Sequence, residues 1–139
     1  MNGSIHPLHI HNFWALLVSA VIIWVLGAIW YSPVLFAKPW MKMVPSCAKK
    51  QLAMFAGMGS SFVCDLVLSL ILWHVVSWAG ARTWETGALV GFLVWLGFIV
   101  APQLPQGIYE SRPFKLFAIN TGYWLVSLLI SGALLAVWV

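Results

Sequence analysis

Residues 52–79 read LAMFAGMGSSFVCDLVLSLILWHVVSWA. One acid, Asp65, interrupts this run, and no Lys or Arg does. A helix needs about 20 apolar residues to cross roughly 30 Å of hydrocarbon, so the stretch predicts a transmembrane helix with length to spare for tilt. The apolar residues do not alternate with polar ones, as a barrel strand would require. Three further stretches meet the same test: about Asn12 to Tyr31, Trp84 to about Ala101, and about Leu116 to Trp138. The third has an extension to about 108 through Pro102 and Pro105, read as a kink or an interfacial turn, since proline removes a backbone donor and crowds the preceding turn. The expectation is an all-α integral membrane protein, a bundle of four transmembrane helices in a single membrane domain over 1–139.

Composition agrees. Of 139 residues, 63% are hydrophobic and 7% charged, against about 25% charged in soluble domains. Ten tryptophans suit the membrane–water interface. The first eleven residues, MNGSIHPLHIH, lack the Lys or Arg of a secretory n-region, so the first span reads as a retained helix. Cys47 in a loop and Cys64 inside a span read as free thiols.

The few charges set an orientation. Lys38, Lys42, Lys49 and Lys50 lie between spans one and two, Arg112 and Lys115 between spans three and four, and Arg82 alone between spans two and three. The positive-inside rule then puts the first and third connections in the cytoplasm and both termini outside. Trp14, Trp73, Trp78, Trp84 and Trp138 should form an outer aromatic belt. Trp30, Tyr31, Trp40 and Tyr109 should form an inner one. A net charge of +4 is explained by orientation, so nucleic acid is not expected as a partner. The expected partners are lipid and other membrane subunits or copies of the chain.

Span one closes in Gly27–Trp40, GAIWYSPVLFAKPW. Gly27 permits close helix approach. Trp30 and Tyr31 read as headgroup anchors. Ser32-Pro33 stops the helix, because the residue before proline is pushed out of the α region. Phe36 and Trp40 lie on a short amphipathic or re-entrant piece, with Lys38 and Lys42 reaching lipid phosphates. An interfacial anchor is the plain reading, and a lipid-headgroup or partner site the sharper one. The Gly-x-x-Trp-Tyr-Ser-Pro pattern, with its following Phe and Trp, resembles domain-of-unknown-function family 1761. So does the Asn120–Gly122–Tyr123 stretch opening the last span. The resemblance implies a small multi-pass protein of the bacterial inner (cytoplasmic) membrane and carries no activity with it. The N-terminal segment with His6, His9 and His11 departs from the family pattern.

Asp65 is the most informative residue. A carboxylate at mid-span costs about 2.5–3.5 kcal/mol even on the lenient insertion scale, so it should face a protein interior, a cavity or a partner. Gly57, Ser61, Asp65 and Ser69 recur every four residues and predict one small, polar helix face. Ser127 on span four and the Trp95 indole on span three are the expected partners of the acid. Packing by hydrogen bonds is the plain reading of Asp65, and a proton, ion or ligand role the sharper one. Gly87 and Gly91 predict a close helix contact. Asn120, Trp124, Ser127 and Ser131 share one face of span four.

The histidines offer two further readings. His74, between Trp73 and Trp78, reads as a neutral interfacial residue or, more sharply, as an axial ligand of a haem or chlorophyll-type pigment. His6, His9 and His11 read as a solvated tail or, with a further ligand, a metal site. The sequence itself requires no cofactor. Phosphate loops, Cys-x-x-Cys and HExxH are absent from the sequence, and its three acids are dispersed, so no enzyme is expected. The leading expectation is a non-catalytic accessory or scaffold subunit of a larger membrane complex. The alternative is an oligomeric small-solute or proton-coupled transporter or channel using Asp65. A membrane redox protein built on histidine ranks last.

Overall fold

The computed structural model describes residues 10–44 and 51–138, with side chains from 13 and from 55 in the two segments. Helix α1 spans Ile10–Trp30, the short α2 Ala37–Met43, α3 Gln51–Trp78, α4 Trp84–Val94, α5 Ala101–Tyr109 and α6 Phe114–Trp138. A π-helical stretch, Trp95–Val100, joins α4 to α5. Four segments are long and apolar enough to cross a membrane: Phe13–Trp30, Phe55–Trp78, Trp84–Tyr109 and Phe114–Trp138. No strand occurs among the described residues.

The third crossing continues through both prolines. Pro102 lies in the first turn of α5 and Pro105 inside it. Proline has no N–H to close the α ladder. The Ala101 N–H reaches back five residues to the Leu96 carbonyl, a local widening that helices use to absorb such an interruption.

Helix α6 is the axis of the bundle, packing against α1, α3, α4 and α5. Its tightest partner is α4. A Cβ built on Gly91 would overlap the Leu128 carbonyl, and one on Gly87 the Gly132 carbonyl. A Cβ on Gly132 would in turn overlap the Gly87 carbonyl. The two backbones therefore touch, which only glycine allows, and close packing substitutes for the hydrophobic drive that lipid cannot supply. Helices α1 and α3 meet through small residues too: buried Ser69 donates its hydroxyl to buried Ser19 at 3.0 Å.

The connection between α3 and α4 is tight. Gly80 takes φ +67°, a conformation costly for any side chain with a Cβ. Thr83 caps α4, and with Thr86 it forms a reciprocal capping box, satisfying two backbone donors that the helix start would leave open.

Trp73 departs from the expected outer belt. It is 2% exposed and packs in the core with Leu72, Val76 and Leu128. Its position on α3 faces the neighbouring helices, and that overrides the interfacial preference of indole. Trp14, Trp78, Trp84 and Trp138 are exposed.

Candidate functional site

Three stretches distant in sequence converge at the end of the bundle that carries the α1–α3 and α5–α6 connections. The first is the end of α1 with the turn into α2. After Trp30 the chain reverses, and the Ser32 carbonyl accepts the N–H groups of Leu35 and Ala37, each at 3.1 Å. Pro33 stands exposed at the outside of this turn. The reversal folds the aromatic residues inward.

The expected headgroup anchors are thus part of the bundle. The Trp30 indole donates to the Ile119 carbonyl at 3.0 Å, and the Tyr31 hydroxyl donates to Asn120 Oδ1 at 2.8 Å. Burial pushes the Tyr31 phenol up to about 12, so it keeps its proton and remains a donor. Phe36 packs on Trp30 with centroids 4.9 Å apart. Trp40, from α2, meets Tyr31 edge-on at 5.6 Å. Polar partners on α6 outweigh the interface, because an unpaired indole or phenol proton at this depth costs more than a turn inward.

The second stretch is the start of α6. Tyr123 is buried, stacks edge-on against Tyr31 at 5.6 Å, and donates to the Ile23 carbonyl at 3.2 Å. Gly27 leaves room for that phenol: a Cβ there would sit 3.1 Å from the Tyr123 hydroxyl. Gly122 does the same for Trp30, at 3.3 Å. Gly27–Trp40 and Asn120–Tyr123 are therefore two halves of one aromatic joint.

The third stretch is the first half of α3. It stands apart from α6 at this end, leaving a cleft of about 920 Å³ between them. Asp65 lines it, 3% exposed, and its buried Oδ2 has no hydrogen-bond partner among the described residues. Tyr123 lines the same cleft. Asn120, Tyr31, Trp24 and Trp124 form further walls. The Trp24 indole donates to the Met58 carbonyl at 3.0 Å and ties α1 to α3 beside the opening.

Several expected roles are redistributed. Gly57 and Ser61 are exposed and line the cleft, and among the described residues nothing lies within 4 Å of a Cβ built on Gly57. The stripe continues inward only at Asp65 and Ser69, where α3 closes on the bundle. The expected partners of the acid are engaged elsewhere or alone. The Trp95 indole donates to the Thr121 carbonyl at 2.8 Å, and the buried Ser127 Oγ makes no hydrogen bond to Asp65. Gly87 and Gly91 lie in the α4–α6 contact and are not among the residues that line the cleft.

His74 Nδ1 lies 2.8 Å from the Leu70 carbonyl, one turn back. Trp73 and Trp78 flank its ring edge-on at 4.7 and 5.8 Å. No group of three or more potential metal ligands occurs among the described residues. His6, His9, the His11 side chain, Cys47, Lys49 and Lys50 lie outside the described residues. Sequence reasoning missed Gln103, Trp24 and Cys64 as cleft residues. Gln103, a polar residue between two prolines inside an apolar crossing, was the available signal.

Fold and cleft together define a four-span helical membrane protein with an acid-bearing, aromatic-walled cavity at one end of the bundle. A family described as a protein of unknown function (DUF1761) matches residues 14–136, and the chain belongs to that family. No curated protein matches the chain, and no solved structure does.

Proposed function

We propose that this chain is a non-catalytic, small-solute transporter subunit whose solute path runs through the Asp65 cleft. The observation that carries the reading is Asp65, a residue of the cleft lining whose buried Oδ2 has no hydrogen-bond partner among the described residues. A carboxyl that only fixed helix packing would spend its oxygens on neighbouring donors, because an unpaired buried polar group costs about 1–3 kcal/mol. Here the serines and the Trp95 indole that would serve have other partners or none. The unpaired acceptor suits a group that comes and goes, a proton or a solute.

By the positive-inside rule the cleft opens to the cytoplasm of a bacterial inner membrane, with both termini outside. Lys38, Lys42, Arg112 and Lys115 are exposed at that end. A single chain encloses the solute on one side only. The exposed small residues Gly57, Gly59, Ser60 and Ser61 beside the opening favour completion of the path by another helix. That same face supports the second reading, an accessory subunit packing within a larger complex.

The test uses the chain and Asp65→Asn in liposomes, with charge movement recorded on rapid exchange of cationic, anionic and zwitterionic solutes. Wild-type currents that Asp65→Asn abolishes are expected. Equal currents from both proteins, or silence of the wild-type chain across the panel, refute transport.

A further inference from the structure

The geometry points to a lipophilic organic cation, a bulky amine or onium compound carrying aromatic or alkyl groups, as the ligand of the Asp65 cleft. This rests on the reading of that cleft as the solute site, and three properties of its lining carry it.

The first is charge. Among the described residues, Asp65 is the one carboxyl in the lining, and the lining holds no Lys, Arg or His. The other titratable groups facing it are Tyr31 and Tyr123, from α1's end and α6, and Cys64 on α3. None of them supplies a positive charge at neutral pH. No described residue of the lining supplies the counter-charge of an ionised Asp65. An anionic solute would meet uncompensated repulsion in a medium where charges interact strongly, and a neutral one would leave the carboxylate unpaired.

The second is the wall. Trp24, Tyr31, Trp40, Tyr123 and Trp124 bring five aromatic rings to one cavity. They support one another, Tyr123 and Trp124 having centroids 4.9 Å apart. Ring faces carry negative potential and attract cations, above all weakly hydrated organic ones. The rings equally accept apolar substituents, so charge and greasy bulk are recognised by the same wall.

The third is size. A cavity of about 920 Å³ lies within the range of roughly 300–1,000 Å³ that holds organic ligands. A bare inorganic cation needs several oxygen ligands crowded around it; this lining has one carboxyl, and its Asn120 Oδ1 already accepts from Tyr31.

The test is binding of radiolabelled tetraphenylphosphonium to the purified full chain in detergent, read by equilibrium dialysis. One saturable site per chain is expected. Uncharged triphenylphosphine oxide, which keeps most of the aromatic bulk, should displace it only at more than tenfold higher concentration. Asp65→Asn should weaken binding at least tenfold, and Trp40→Leu about threefold. Equal displacement by the oxide, or undiminished binding to Asp65→Asn, overturns the inference. The wild-type comparison of cation with oxide decides the matter even if Asp65→Asn does not fold. Asp65-dependent liposome currents with anionic or neutral solutes, together with no tetraphenylphosphonium binding, sink the cation while leaving transport standing. Tight, Asp65-dependent binding without any current does the reverse.

Discussion

Replacing Gly91 by alanine adds one methyl group to the contact between α4 and α6. That Cβ would lie 2.7 Å from the Leu128 carbonyl carbon and 3.3 Å from the Leu129 nitrogen. Carbon atoms rest at about 3.5–4.0 Å, so the helices must part by most of an ångström. The obstructing atoms are backbone, and no side chain can rotate away. Overpacking costs about 1–3 kcal/mol, and a rigid contact puts Gly91→Ala near the top, about 3 kcal/mol. At 1.4 kcal/mol per tenfold, this is about 150-fold in the folding equilibrium. Gly97→Ala is the matched control on the same crossing, since nothing lies within 4 Å of its Cβ. It should stay within about 1 kcal/mol of wild type, on the stabilising side if the backbone accepts alanine. Reversible unfolding in mixed micelles, titrated with a denaturing detergent and followed by tryptophan fluorescence, compares the two. Gly91→Ala unfolding at the wild-type midpoint would refute the backbone contact, and equal losses at both positions would show a general intolerance of the helix.

Other expectations follow from single bonds. Tyr31→Phe keeps the ring contacts and loses the bond to Asn120, so the melting midpoint in detergent should fall by the equivalent of about 1 kcal/mol. Ser69→Ala strands the buried Ser19 hydroxyl and should cost about 1–3 kcal/mol, whereas Ser19→Ala with Ser69→Ala removes both partners and should recover most of the loss; a double-mutant cycle measures it. Thr83→Ala opens the capping box and should cost about 1 kcal/mol, visible as faster amide exchange over the first turn of α4.

The four crossings are legible in the sequence because each depends on its own residues. An apolar run of sufficient length has one solution in lipid, whichever helices it meets. The cleft depends on pairings that no local pattern contains. Tyr31 and Asn120 are 89 positions apart, and indole or phenol at the end of a span suits a headgroup as well as a neighbouring helix. Trp30 and Tyr31 are pulled inward by two acceptors at the start of α6, the Ile119 carbonyl and the Asn120 side chain, and only the packed bundle supplies those. Gly57 and Ser61 share a helix face with Asp65, yet spacing along α3 cannot tell where that helix parts from α6. The unpartnered Oδ2 is likewise a property of the assembly, because the packed bundle commits the Trp95 indole to the Thr121 carbonyl.

The widened turn at Trp95–Val100 has a geometric consequence for Gln103. In an unbroken α-helix, turning roughly 100° per residue, Gln103 would point about 120° away from Gly91. The five-residue closure between Leu96 and Ala101 works as a one-residue insertion and takes back roughly 100° of that rotation. Gln103 thereby returns to the azimuth of the glycine face and joins Asn120 at the cleft. The crossing is two helical registers joined by a phase shifter: the first half is indexed to the α6 backbone, the second to the cavity. Shortening this turn by one residue would leave the glycine contact in place and rotate all of α5, with Gln103, away from the cleft.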